Sequence, residues 1–80
     1  MSQMKAYEEI VEFIASGTTP RNVAAFRPSD EAKERVADLI QREKRSEISP
    51  EEASELNHYL QLEHLMRLAK ARAQQHIDNG

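Results

Sequence analysis

The stretch SPEEASELNHYLQLEHLMRLAKARAQQHI, from Ser49 to Ile77, constrains the fold more than any other part of the chain, because it specifies one long helix. Ser49 can accept a hydrogen bond from the free backbone donors of a first turn, Pro50 suits the first helical position, and Glu52 stands where a reciprocal capping box requires it. Glu51, Glu52 and Glu55 lie toward the positive end of the helix dipole. Arg67, Lys70 and Arg72 follow toward the negative end, with no acid between Glu63 and Asp78. About 27 helical residues would span about 40 Å. The residues ahead of them are too few to cover such a rod on every side.

Size sharpens that limit. The 80 residues allow one helical domain, 1–80, and a chain this short buries only about 60 per cent of its unfolded surface. Stability alone therefore favours association. With no cysteine there is neither a disulfide framework nor a thiolate metal site, and the simplest compartment is a reducing one, so a cytoplasmic location is expected. No apolar run approaches the roughly 18 residues of a membrane span, and MSQMKAYEEI lacks the charged-then-apolar order of a signal peptide. A net charge of −3 gives no overall attraction to nucleic acid.

In chain order, Met4, Tyr7, Ile10, Val11 and Ile14 recur at steps of three and four and predict an amphipathic helix over 4–15, stopped by Ser16-Gly17. Phe13 falls off that stripe and implies a second covered surface. Thr19 then caps a short helix with Pro20 at its first position, Val23 and Phe26 on one side, and Pro28 ending it. Ser29 opens the next helix, whose apolar stripe is Ala32, Val36, Leu39 and Ile40. Lys33, Glu34, Arg35, Asp38, Arg42 and Glu43 make a solvated face of mixed sign. Ser46-Glu47-Ile48 is a tight connection, with Ile48 placed as a staple under the first turn of the long helix. The expected fold is all-α: an antiparallel helical hairpin with a long C-terminal helix, braced by an N-terminal helix and a short helix.

Along the long helix, Leu56, Tyr59, Leu62, Met66, Ala69, Ala73 and Ile77 form one continuous stripe, the face for the hairpin partner. Leu60, Leu65 and Leu68 point well away from it at about 100° per residue. A single hairpin cannot bury all three. Either the N-terminal helix lies across them or another chain does, and a homodimer is expected.

Catalysis needs more polar convergence than these residues supply. Glu63 and His64 are adjacent and so point to different helix faces, and His58 and His76 stand roughly 27 Å apart along the axis. Neither pairing spaces like a zinc helix, whose ligands stand three or four residues apart, and four residues after His58 and His64 come Leu62 and Leu68. Ser29 and Ser49 read as caps, not nucleophiles. No enzyme activity, metal or cofactor is expected.

The segments FIASGTTPRNVAAF, FRPSDEAKERVADLIQREK and ISPEEASELNHYLQLEHLMRLAKARA together resemble the small antitoxin-like proteins of bacteria, mainly cyanobacteria. LEHLMRLAKARA is their most specific block. Some members are encoded beside HNH endonuclease-like toxins, so the resemblance implies a non-catalytic inhibitor acting by protein contact. One departure is Ser46, where the family has glycine in the turn before the SPEE block, which bears on a left-handed cap there. Joined to the leucine excess, the resemblance points to Leu60, Leu65, Met66, Arg67, Leu68, Lys70 and Arg72 as the partner-binding set. Two other readings stay open. One is a structural homo-oligomer. The other is a DNA-binding autoregulator, in which the short helix would offer only Arg21 and Asn22 as base readers.

Overall fold

The computed structural model describes residues 5–79, and within them the chain is all-α, with no strand. The helices are α1 (Glu8–Ala15), α2 (Pro20–Ala25), α3 (Asp30–Lys44) and α4 (Pro50–Asn79). The three expected caps are in place. Thr19 accepts from the Asn22 N–H at 3.2 Å, and Ser29 accepts from the Ala32 N–H at 3.1 Å. At α4 the capping box is reciprocal: the Glu52 N–H donates to Ser49 Oγ at 3.1 Å and the Ser49 N–H to Glu52 Oε1 at 3.0 Å. Ile48 is half-buried ahead of it.

The turns follow from backbone chemistry. Gly17 closes α1 at φ 85°, a conformation open to glycine. Ser46 takes φ 58°, with its N–H on Glu43 O at 3.1 Å and the Glu47 N–H on Arg42 O at 2.8 Å. Those two bonds are the paired closure of a Schellman motif, so the left-handed cap forms without glycine.

α1 begins later than the stripe from Met4 predicts; Met4 itself lies outside the described residues. The Ala6 N–H is occupied by the Glu55 carboxylate at 3.2 Å and Lys5 N–H reaches forward to Glu8 Oε1 at 3.2 Å, so the first turn is organised by side chains. The buried side of α1 is also rotated from the expected one. Ala6 and Ile10 are buried and Phe13 is half-buried, while Val11 and Ile14 stay 46% and 47% exposed.

The core joins Ala6 and Ile10 to Tyr59 and Met66 of α4, with Phe13, Val23, Phe26 and Leu62 packed around them. Phe13 and Phe26 meet at 4.6 Å between ring centroids, tilted by 44°. Phe26 thereby anchors the short helix. The hairpin partner does less than expected. α2, not α3, makes the most extensive close approach to α4. α3 closes on the first turns of α4 through Leu39 and the Arg42–Glu52 and Arg35–Glu55 pairs. A connection as tight as 45–49 holds the two helices together at one end only, and the apolar stripe farther along α4 is left to α1 and α2.

Candidate functional site

Two regions of α4 depart from a plain amphipathic pattern. The first is a buried carboxylate. Glu55 is 5% exposed, and it occupies the same face as Tyr59, Leu62 and Met66, so the rotation of the helix places it inward. Its Oε1 and Oε2 accept from Arg35 at 3.0 and 3.1 Å, and Oε2 also accepts the Ala6 N–H. Arg35, expected on the solvated face of α3, is instead half-buried against this group. The Arg35 hydrogen bonds, aided by the Ala6 N–H, hold the Glu55 carboxyl below its ordinary pKa against the opposing effect of burial. The same bonds push the Arg35 guanidinium upward. This clamp ties α1, α3 and α4 at one point, and sequence reasoning missed it. The available signal was a carboxylate in phase with the apolar stripe of α4 and an arginine one step from Val36 on α3.

An open cleft of about 790 Å³ lies around the clamp and is lined by Glu9, Glu31, Glu34, Glu51 and Glu52 among others. Two of these acids have structural work already. Glu9 accepts the Ser29 N–H at 2.8 Å, and Glu52 serves the cap and Arg42. The Ser49 backbone N–H, first, and the nearby guanidinium of Arg42 hold the Glu52 carboxyl below its usual range. Among the described residues no group of three or more histidine, cysteine or acidic side chains could hold a metal ion.

The second region is the outer surface of α4. Leu60, Leu65 and Leu68 are 46%, 51% and 58% exposed. α1 therefore does not lie across them, and that within-chain alternative is corrected: α1 has packed on the Ala6–Ile10 side and covers Tyr59 and Met66. Tyr7 stacks on His58 at 5.2 Å, tilted by 33°. Val11 and Ile14 follow Tyr7 along its flank of α1, and Leu65 lies two turns beyond His58 on the facing flank of α4. Beyond the Tyr7–His58 stack these flanks carry Val11, Ile14 and Leu65, an exposed apolar edge. With Leu60 and Leu68, these side chains leave on the order of 400 Å² of apolar surface in water, divided between that edge and the outer face of α4.

Of the other expected partner-binding residues, Arg67 and Arg72 are exposed, and Arg67 pairs with Glu63 at 2.8 Å, as its spacing implied. Met66 and Lys70 are elsewhere. Met66 is 5% exposed in the core. Lys70 reaches back over α2 to donate to Phe26 O at 2.8 Å, and burial, with Arg27 nearby, lowers its pKa. Met66, on the core face, has no route to a partner, and the Lys70 ammonium is engaged within the chain, so both leave the candidate set. His58 serves packing, bonded through Nδ1 to Ser54 O at 2.7 Å beneath Tyr7.

Over the described residues this is a small helical protein with large apolar side chains exposed on α1 and α4. Compared with protein-family models, curated proteins and solved structures, the chain has no match. Among the described residues no helix is long and apolar enough to cross a membrane.

Proposed function

We propose that the chain is a non-catalytic interaction protein, an antitoxin-like inhibitor that neutralises an endonuclease-like toxin by direct contact. The observation that carries this reading is the apolar edge of Val11, Ile14 and Leu65, large side chains that the fold leaves in water. The resemblance of the FRPSDEAKER, SPEE and LEHLMRLAKARA blocks supplies the class of partner. Arg72 stands next to Leu65 on the helix surface and Arg67 one flank away, so a cationic rim borders the leucines. Buried leucines would set the dissociation rate, and the arginines would steer encounter with an acidic patch or occupy a surface built for phosphates.

Co-expression tests the reading. A neighbouring endonuclease-like gene, toxic alone, becomes harmless when the full chain is supplied, and Leu65→Glu combined with Ile14→Glu removes that protection while leaving the chain helical. Protection that survives both changes overturns the assignment of the edge. A neighbouring product that neither harms the cell nor binds the chain overturns the function.

A further inference from the structure

The acids and bases of α4 are segregated along its length. Four of its five acids, Glu51, Glu52, Glu55 and Glu63, occupy the first half, and Arg67, Lys70 and Arg72 the second, with Asp78 the exception in the last turn. Such a helix is complementary to a copy of itself running the other way, which also opposes the two helix dipoles. The surface opposite its core stripe is uncharged: Asn57, Leu60, Gln61, His64, Leu68 and Ala71 share it and all are exposed. Leu60 and Leu68 stand four residues either side of His64, and Asn57 and Ala71 stand seven either side.

We propose that a second copy of this chain covers that face, with the two α4 helices antiparallel about a two-fold axis beside His64. The inference rests on reading α4 as an interaction helix but is independent of what toxin, if any, is bound. A two-fold at His64 sets Leu60 against the partner's Leu68 and Asn57 against the partner's Ala71, and the reciprocal contacts follow by symmetry. On one flank the 2.8 Å Glu63–Arg67 pair comes within about 3 Å, in axial level, of the same pair reversed, so each carboxylate meets a second guanidinium. Two such faces over 14 residues, about 21 Å of axis, bury on the order of 1,000 Å² in total, the lower bound for a specific interface. The dimer is therefore reversible at micromolar concentrations, and it leaves the Val11, Ile14 and Leu65 edge free on both copies.

The absence of cysteine makes the geometry directly testable. Sedimentation equilibrium of the full chain at tens of micromolar gives a mass near twice 9.2 kDa, and Leu60→Glu returns it to the monomer mass with unchanged far-ultraviolet circular dichroism. His64→Cys gives a disulfide-linked dimer under mild oxidation, because facing helix positions at an axis come within disulfide range. His76→Cys does not, since its two copies lie about 36 Å apart. Glu63→Arg and Arg67→Glu each weaken the dimer several-fold, and the two together restore it. A wild type that remains monomeric at 100 micromolar overturns the proposal. So does a dimer cross-linked through Val11→Cys in place of His64→Cys. All of these are measured on the purified chain alone, so their failure leaves toxin neutralisation by the Leu65 edge standing, and loss of neutralisation leaves the dimer standing.

Discussion

Glu55 and Leu68 lie on the same helix, and their surroundings invert what hydropathy would assign. The carboxylate is 5% exposed and the leucine 58%. Around Glu55, α1 and α3 supply a backbone donor and a guanidinium, so a charge can sit inside. Leu68 stays in water because, among the described residues, α1 and α2 pack against the opposite face of α4. Burial in a protein this small is decided by what a neighbouring element can reach. One end of α4 is completed by the chain itself, and the outer surface of its middle is left in water.

Breaking the clamp has the largest expected effect. Glu55→Ala leaves the buried Ala6 N–H without its acceptor and Arg35 without its partner. Arg35 keeps part of its hydration, so the cost is about 2 to 4 kcal/mol, below that of a fully buried pair. A lowering of the melting temperature by roughly 10 to 20 °C is the corresponding calorimetric signal. Acid has the same target. Because the folded-state pKa of Glu55 lies below its unfolded value, the clamp's contribution is complete above the ordinary carboxylate range and is lost as pH falls through the folded value. Melting temperature is therefore level from neutral pH to about 5 and falls below that. A Glu55→Gln variant, whose residue does not titrate, shows a smaller fall. If the two fall in parallel, Glu55 contributes nothing to acid sensitivity.

The helix starts were legible because capping is local chemistry. A serine or threonine hydroxyl finds its donor within three residues, and the acids that follow suit the dipole, so Thr19, Ser29 and Ser49 announced their helices without any knowledge of the fold. The central stripe of α4 was legible for the same reason, and Leu56, Tyr59, Met66 and Ala73 are buried as it requires. What failed was anything dependent on which neighbour packs where. The stripe through Val11 and Ile14 counted large side chains, whereas α1 seats its small Ala6 against α4 and turns those two outward. Met66 and Lys70 were grouped with Leu65 by proximity in sequence, though rotation about the helix sends one into the core and the other across α2. Glu55 looked like a dipole residue of the first turns, and no local rule marks a carboxylate whose partners lie 20 and 49 residues away. Partner identity is no more local, and the leucines show only that a surface exists.

A middle-sized effect tests whether the clamp is held by a properly started helix. Ser49→Ala removes one half of the reciprocal box, leaving the Glu52 N–H without its side-chain acceptor. About 1 kcal/mol of stability goes with it, a shift of roughly 4 to 8 °C in melting temperature. The Ala53 N–H still finds Ser49 O at 2.8 Å, so the helix frays without shifting its register. An unchanged melting curve would place the start of α4 beyond Ser49.

The smallest effect is expected at the other pole of the comparison. Leu68→Gln exchanges the most exposed of the large apolar side chains for one of similar length and helix propensity, and Gln retains the aliphatic stem that rests on the helix surface. Measured at a concentration low enough to keep the chain monomeric, the change costs about 0.5 kcal/mol or less. At tens of micromolar the same variant melts at a lower temperature than the wild type, because association stabilises only the folded chain and Gln weakens the contact with the partner's Leu60. A large loss at low concentration would mean that Leu68 already packs within its own chain, and the contrast with Glu55 would disappear. A loss that grows with concentration locates the function of this leucine outside the monomer.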